Sequence, residues 1–204
     1  MKIIRAAEMG MCFGVRDALQ ITSEVADPSE VTIHGELVHN PTVIHDLAQA
    51  GFHQSAEADR GCTPPTPLVL ITAHGISNAE RERLRANGKQ MIDTTCPLVR
   101  RVHDAAIDLE SERRHVLLIG KRGHVEVQGI IEDLESYDVV ASPNEVKDYH
   151  RERLGVVCQT TMPSQVAIEI LSRVEQLNPN ADIRFIDTVC HPTKRRQQAM
   201  LELI

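Results

Sequence analysis

Three of the five cysteines in this chain recur at similar places in a repeated sequence pattern. Cys96 lies in residues 91–97 (MIDTTCP), and Cys190 lies 94 residues later in the similar residues 185–192 (FIDTVCHP). Cys12 follows a short apolar segment, 84 residues before Cys96. Each cysteine comes between a predicted strand and a predicted helix, where amide groups at the helix start stabilise a thiolate. Three thiolates that meet at one centre could bind zinc with a water molecule, or an iron–sulfur cluster.

A cubane cluster held by three cysteines would leave one iron without a protein ligand. That iron can act as a Lewis acid toward a substrate oxygen, while the cluster carries electrons. The other two cysteines fit structural roles, because Cys158 lies in an apolar strand and Cys62 in a proline-rich loop. Five cysteines without a Cys-x-x-Cys pair indicate neither a disulfide framework nor a local zinc ribbon.

Three histidines occupy the turns that follow predicted strands, and two of them adjoin a glycine: His39, His74 and His124. Together with backbone amides of the next helices, such imidazoles could bind an anion. As protonated rings or as neutral hydrogen-bond donors, they would complement a diphosphate. Six other histidines are interpreted as surface or core residues: His34, His45, His53, His103, His115 and His150.

Glu126, two residues after His124, is the carboxylate close to these residues in the sequence. Burial beside a bound substrate would raise its pKa and suit it to donate a proton. Thr160 occupies the position in the second repeat that His74 has in the first. Its hydroxyl could support this proton transfer through a hydrogen bond. Three further polar residues are predicted to fix the start of the last helix: Thr193, Arg196 and Gln197.

The composition describes a globular protein with 42% hydrophobic and 25% charged residues. A net charge of -7 argues against a dedicated nucleic-acid binder. The sequence has no apolar run long enough to span a bilayer, and its start does not resemble a signal peptide. We therefore expect a cytoplasmic protein with reduced thiols, without nucleic-acid or membrane partners.

Short apolar runs alternate with amphipathic stretches along the whole chain, which predicts parallel sheets with helical crossovers. Strands are predicted at residues 2–6, 31–34, 68–71, 90–92, 115–119, 137–140, 154–158 and 183–186. Helices are predicted at residues 14–26, 41–51, 77–87, 97–112, 125–135, 164–177 and 192–204. The cysteine and histidine motifs all follow strand ends, where ligands bind in such α/β sheets.

The repeats predict a division of the chain into small α/β units. Residues 1–12 would form a strand and the first cysteine, residues 13–96 one complete unit, and residues 97–190 a second. Residues 191–204 resemble the opening helix of a third unit. From the repeat length we expect that roughly another ninety residues would complete that unit.

Seven motifs, in order along nearly the whole chain, resemble the LytB/IspH family. They are residues 10–15, 37–40, 73–75, 93–99, 123–127, 159–161 and 187–190, the last with Arg196 and Gln197. The members of this family are 4-hydroxy-3-methylbut-2-enyl diphosphate reductases of the non-mevalonate isoprenoid pathway. They reduce their substrate to isopentenyl and dimethylallyl diphosphate.

The resemblance implies a trefoil of three α/β domains around a central 4Fe–4S cluster, one iron of which has no protein ligand. It also implies electrons from ferredoxin or flavodoxin. The implied cluster ligands are Cys12, Cys96 and Cys190. The implied substrate-binding and catalytic residues are His39, His74 and His124, the proton donor Glu126, and Thr160.

Two features depart from the family pattern. Val125 stands where proline is common, between His124 and Glu126, which remain in place. The serine-containing turn that the family's third domain contributes to the diphosphate pocket is not found in residues 1–204. We therefore expect these 204 residues to show impaired or no turnover by themselves.

Two other functions remain open on the sequence. One is a three-cysteine iron–sulfur hydro-lyase, which would dehydrate a hydroxy acid without electrons and would favour arginines in its pocket. The other is an inactive fragment that only binds metal.

Overall fold

A computed structural model describes residues 3–203 of the chain, in which two four-stranded parallel sheets alternate with helices. The first sheet contains β1 (Val31–His34), β2 (His53–Ser55), β3 (Leu68–Ile71) and β4 (Gln90–Asp93). The second contains β5 (His115–Ile119), β6 (Tyr137–Val140), β7 (Arg153–Cys158) and β8 (Asp182–Phe185). The helices are α1 (Phe13–Ser23), α2 (Pro41–Gln49), α3 (Asn78–Ala86), α4 (Pro97–Ser111), α5 (Val125–Ile131), α6 (Ser164–Leu177) and α7 (His191–Leu201). Short 3-10 turns occupy Pro28–Glu30, Glu57–Asp59 and Pro143–Glu145.

The two sheets share one topology. Their strand orders are β2-β1-β3-β4 and β6-β5-β7-β8, and every strand pair is parallel. The repeat in the sequence therefore corresponds to a repeated sheet, which confirms the predicted fold class of repeated parallel α/β units. All strands of a parallel sheet end at the same edge, so the motifs that follow them gather there.

The central strand β5 shows why the sheets need helices on both faces. All five of its residues are buried. Leu117 and Ile119 pack on one side with Val156, whereas Val116 and Leu118 pack on the other side with residues of α4 and α5. A strand that is apolar on both faces becomes stable only when both faces are covered.

Two predicted strand assignments differ from the structure. Residues 3–6 form no strand, and Ile3 and Ile4 are 73% and 60% exposed, so the predicted strand 2–6 is wrong over these positions. Residue 2 lies outside the described residues. The edge strand β2 was not predicted, because His53, Gln54 and Ser55 present no apolar run.

Helix starts follow the strand ends closely and fix the turns between them. The Asn40 side chain accepts from the amide of Thr42 at 3.0 Å, and Pro41 is the first residue of α2. Ser77 accepts from the amide of Glu80 at 3.0 Å at the start of α3. Such caps define where each helix begins. Among residues 3–203, no helix is both long and apolar enough to cross a membrane.

Candidate functional site

One cavity of about 370 Å³ lies at the carboxyl ends of both sheets, and all eight residues predicted from the sequence line it. They are Cys12, Cys96, Cys190, His39, His74, His124, Glu126 and Thr160. Two larger clefts, of about 680 and 730 Å³, contain none of these eight residues. The fold thus brings the predicted set together in one place.

The three cysteines have equivalent positions in the fold, because each immediately precedes a helix. Cys12 precedes α1, Cys96 precedes α4 and Cys190 precedes α7. Their carbonyl groups accept the first helical hydrogen bonds, at 3.0, 3.0 and 3.1 Å respectively. Each of the three cysteines thus directly precedes a helix, as the sequence predicted.

Burial raises the pKa of the Cys96 thiol above its ordinary value of 9.0. Amides of Leu98 and Val99 act in the opposite direction, while the neighbouring thiols of Cys12 and Cys190 raise the pKa further. The other two thiols therefore lie near enough to Cys96 to disfavour its charged form.

Gly14 packs directly against the sulfur of Cys96. A Cβ atom on Gly14 would lie 2.5 Å from Cys96 Sγ, so only glycine leaves this sulfur its position. Thiolate sulfur is a soft donor that suits both zinc and iron–sulfur clusters.

The three histidines form a compact group. The rings of His39 and His74 stack with centroids 4.3 Å apart, and His124 lies edge-on at 5.5 and 5.7 Å from them. The amide of Glu126 donates to His124 Nδ1 at 3.1 Å, which leaves the proton of the neutral ring on Nε2. His124 is therefore oriented as a neutral donor.

Two of the imidazoles favour the neutral form in this arrangement. Burial lowers the pKa of His74 to about 3, with further contributions from His39, His124 and the Arg60 charge. Burial, followed by His39 and Lys121, also lowers the pKa of His124. Of the two forms expected from the sequence, the neutral donor is the one favoured here. His74 Nδ1 is buried without a hydrogen-bond partner among the described residues, which leaves it free to bind a ligand.

Glu126 and Thr160 form a buried pair beside the histidines. Oε1 of Glu126 accepts from the amide of Thr160 at 2.6 Å, and Oε2 accepts from the Thr160 hydroxyl at 2.8 Å. Burial raises the pKa of Glu126 from 4.5 to about 7, although both hydrogen bonds act in the opposite direction. The direction of this pKa shift agrees with the one expected from the sequence, and a pKa of about 7 would let the carboxyl group exchange a proton near neutral pH.

The backbone connects this acid to the cysteines. The Cys190 amide donates to the Thr160 carbonyl at 2.9 Å. Thr160 therefore contacts Glu126 through its hydroxyl and the segment of Cys190 through its carbonyl. The Cys190 Sγ and Thr193 Oγ1 atoms are 3.0 Å apart.

Residues expected to fix the start of α7 also tie it to other segments. Arg196 donates to the carbonyl of Gly10, just before Cys12. Gln197 accepts from the amide of Ser164 at 3.1 Å. These contacts link the last helix to the N-terminal segment and to α6, which the sequence pattern did not indicate.

Sequence reasoning missed the charged residues that hold the histidine turns. Glu36 pairs with His39 Nδ1 at 2.9 Å. Glu57 and Arg60 contact the turns of His39 and His74 from a loop outside the cavity. The only available signal was a Glu-x-x-Arg pair in a loop rich in turn residues, which carries little information by itself.

A parallel α/β fold with three thiols, three imidazoles and a buried carboxylic acid around one cavity defines a class of protein in which soft metal donors adjoin hydrogen-bond donors suited to an anion. The family model described as LytB protein matches residues 3–204. The chain belongs to the LytB family.

Curated relatives with the same name agree with this assignment. The 4-hydroxy-3-methylbut-2-enyl diphosphate reductase of Polaromonas sp. is 32% identical over 205 residues, which cover 98% of this chain and 61% of that protein. The enzyme of the same name from Aquifex aeolicus is 31% identical, with 98% and 70% covered. The chain thus spans roughly two thirds of the length of these relatives.

Solved structures show the same fold. A structure of (E)-4-hydroxy-3-methyl-but-2-enyl diphosphate reductase, described as the terminal enzyme of the non-mevalonate pathway, matches with a TM-score of 0.81 and 31% identity. The match covers 98% of this chain and 72% of that one. The E-1-hydroxy-2-methyl-but-2-enyl-4-diphosphate reductase of Plasmodium falciparum matches with a TM-score of 0.83 and 27% identity, covering 95% and 62%.

Proposed function

We propose that this chain carries the cluster ligands and the diphosphate-binding residues of a 4-hydroxy-3-methylbut-2-enyl diphosphate reductase. In this reaction a C–O bond of the substrate breaks and a C–H bond forms, with two electrons and two protons consumed and water released. The products are isopentenyl and dimethylallyl diphosphate. The observation that carries the proposal is the single cavity lined by all eight residues.

Cys12, Cys96 and Cys190 would hold a 4Fe–4S cluster. When bound, the cluster supplies the electrons and, at an iron without a protein ligand, a Lewis acid for the substrate hydroxyl. Each cysteine directly precedes a helix, and at Cys96 the helix amides act against the effect of burial on the thiol. Gly14 leaves room for the sulfur of Cys96.

The three imidazoles would bind the diphosphate end of the substrate. His124 presents Nε2–H because its Nδ1 is occupied by the Glu126 amide. The burial of His74 excludes water from the anion and strengthens hydrogen bonds to it. An approaching diphosphate would also favour protonation of the rings, since a nearby negative charge stabilises the imidazolium.

Glu126 would deliver the proton that converts the leaving hydroxyl to water. A carboxyl group with a pKa of about 7 is substantially protonated at neutral pH. The Thr160 hydroxyl fixes the orientation of the carboxyl group through its contact with Oε2. Loss of the Glu126 proton would therefore slow the chemical step more than it would weaken substrate binding.

Electron donation by ferredoxin or flavodoxin and a cytoplasmic location form part of the same proposal. All five cysteines are free, which suits a reducing compartment.

Anaerobic reconstitution with iron and sulfide tests the cluster. We expect about four irons and four sulfides per chain, with visible absorbance that Cys96→Ser loses and Cys62→Ser keeps. Cys62 is a matched control because it is exposed in a loop. Equal absorbance in both variants would refute the assignment of the ligands.

Product analysis separates the reductase from the hydro-lyase. A reductase forms product only with a reductant, whereas a hydro-lyase needs none. The expectation that these 204 residues alone turn over weakly or not at all stays a prediction. Steady-state reduction at the rates of the longer relatives would contradict it.

A further inference from the structure

An ion pair outside the cavity contacts the turns that carry two of the histidines. Glu57 and Arg60 belong to the loop between β2 and β3, and Arg60 Nε lies 2.7 Å from Glu57 Oε2. The side chains of Arg60 and Glu57 are 18% and 24% exposed, respectively, so the pair is mostly shielded from water. Ion pairs of this kind are screened less by salt than pairs at the surface.

Glu57 holds the turn of His39. Its Oε1 accepts from the backbone amide of Glu36 at 2.9 Å, three residues before the imidazole. Gly35 adopts φ +101°, and a Cβ atom there would lie 2.6 Å from Glu57 Oε1 and 2.7 Å from Arg60 Nη2. The turn therefore approaches the ion pair as closely as only glycine allows.

Arg60 holds the turn of His74. Its Nη1 donates to the carbonyl of Gly75 at 3.3 Å, and its Nη2 donates to the hydroxyl of Thr72 at 3.4 Å. These partners lie on either side of the imidazole in the sequence. The guanidinium fork thus contacts Glu57 and both sides of the turn at the same time.

The loop is itself anchored to a helix. Arg83 of α3 donates to the carbonyl of Arg60 at 2.7 Å and to that of Gly61 at 3.2 Å. The Glu80 carboxylate, 2.6 Å from Arg83 Nε, holds the Arg83 side chain in this position. The ion pair therefore has a fixed support on the side away from the cavity.

We propose that the Glu57–Arg60 pair is a positioning device that sets the separation of the His39 and His74 rings, and through it the affinity of the site for a diphosphate. The inference rests on the proposed function. The two turns leave the adjacent strands β1 and β3, and one backbone hydrogen bond, from Ala73 to Leu37 at 3.3 Å, joins them directly. The ion pair adds a second connection, through Glu36 on one turn and through Thr72 and Gly75 on the other.

The stacking of the two rings gives the ion pair a role, because a bridging anion needs both rings at fixed positions. The ring centroids are 4.3 Å apart. If the turns moved independently, binding would have to order them, and this cost would reduce affinity. The Arg60 charge also contributes to the low pKa of His74, after burial and the two neighbouring imidazoles.

The test is calorimetric titration of inorganic pyrophosphate into the chain without a cluster. We expect Arg60→Ala to raise the dissociation constant about tenfold, the scale of one or two lost hydrogen bonds. Arg60→Lys should give an intermediate value, because one ammonium group cannot reach Glu57 and both sides of the turn. Arg85→Ala is the matched control, since Arg85 forms an exposed ion pair with Glu82 in the same unit. It should bind like the unmodified chain.

A second measurement separates positioning from general destabilisation. In the ligand-free chain, Arg60→Ala should shift the ring proton resonances of His39 and His74. The reason is that a change in the stacking of the two rings changes the ring current that each exerts on the protons of the other. The ring of His103, which pairs with Asp133, should keep its resonances. If Arg60→Ala does not fold, Glu57→Gln serves instead, as it keeps an acceptor for the Glu36 amide and removes the charge.

The outcomes distinguish the two proposals. Unchanged pyrophosphate affinity in the variants, with binding by the unmodified chain, would overturn the positioning role and leave the proposed function intact. Failure of the unmodified chain to bind pyrophosphate would overturn the proposed anion site. The ring resonances would then decide the positioning role alone: a shift confined to His39 and His74 supports it, and unchanged resonances reject it.

Discussion

At the scale of single residues, Glu126 shows how burial alone can set acid–base behaviour. Its carboxyl group is 2% exposed, and both of its hydrogen-bond donors belong to Thr160. Two such hydrogen bonds would normally lower the pKa, yet desolvation is the larger effect and the pKa rises to about 7. The direction was predictable from the sequence, because the residue follows a strand-end histidine in a region of apolar strands.

The raised pKa predicts how stability depends on pH. Between pH 4.5 and 7 the folded chain holds the Glu126 proton while the unfolded chain releases it, so stability falls as pH rises through this window. Glu126→Gln removes this titration. Urea unfolding should show that the free energy of unfolding of the variant, relative to that of the unmodified chain, increases by up to about 3 kcal/mol between pH 5 and pH 8.

Glu132→Gln controls for the loss of a carboxylate at the exposed end of the same helix. A stability difference between Glu126→Gln and the unmodified chain that stays constant from pH 5 to pH 8 would contradict the raised pKa.

Six of the eight cavity residues occupy turns between a strand and a helix, where the residue types stand out. Cys12 precedes α1 with no strand before it, and Glu126 is the second residue of α5. Glu57 and Arg60 were not predictable, since their partners are backbone groups of distant turns. Every residue has backbone amide and carbonyl groups, so a side chain that binds them has no partner that can be recognised by its residue type.

At the scale of elements, helix starts determine where the site residues lie. Cys12, Cys96 and Cys190 each cap a helix, and His124 caps another. The sequence predicted these helices to within a few residues, because proline and apolar spacing mark them. It missed β2, which is polar and three residues long, and it misassigned residues 3–6, whose isoleucines remain exposed. An apolar run becomes a strand only when a neighbouring strand accepts it, and this is a tertiary property.

Gly14 in α1 provides a test of how element packing positions a proposed cluster ligand. An alanine in a helix is more favourable than a glycine by about 1 kcal/mol, so Gly14→Ala should stabilise α1 by propensity alone. Its Cβ atom would nevertheless lie 2.5 Å from Cys96 Sγ and displace this sulfur. We expect the iron bound after reconstitution to fall to about half or less of that of the unmodified chain.

Gly61→Ala is the control, because a Cβ atom there meets no other atom within 4 Å. Full iron content in Gly14→Ala would show that the sulfur can relocate, and it would reject the importance of this close approach.

At the scale of the whole molecule, the repeat was visible in the sequence, whereas the contacts between the two units were not. Gly129 of α5 packs against the backbone of Ile76, where its Cβ atom would lie 3.4 Å away. Asp133 accepts from the amides of Asn78 and Ala79 at 2.5 and 3.0 Å, and it pairs with His103 at 2.7 Å. The first α3 turn is thus held by a residue from the second unit.

Asp133→Ala should weaken the contact between the units. The carboxylate is 9% exposed and has three partners, so its removal should cost about 2 kcal/mol in the free energy of unfolding, measured in urea. Asp133→Asn should lose less, because the amide oxygen still accepts from one backbone amide.

Asp17→Ala, at an exposed position of α1, provides the comparison for a lost aspartate. Equal stability of Asp133→Ala and Asp17→Ala would mean that the contact between the units contributes little to folding.

The four hydrophobic clusters of residues 3–203 contain none of the three cavity cysteines. Apolar burial, the main driving force of folding, therefore operates without help from iron. Small zinc domains differ, since they collapse only once the metal arrives. For the cluster proposed above, maturation would accordingly be sequential: the polypeptide folds first, and iron and sulfide then bind in a cavity that is already formed.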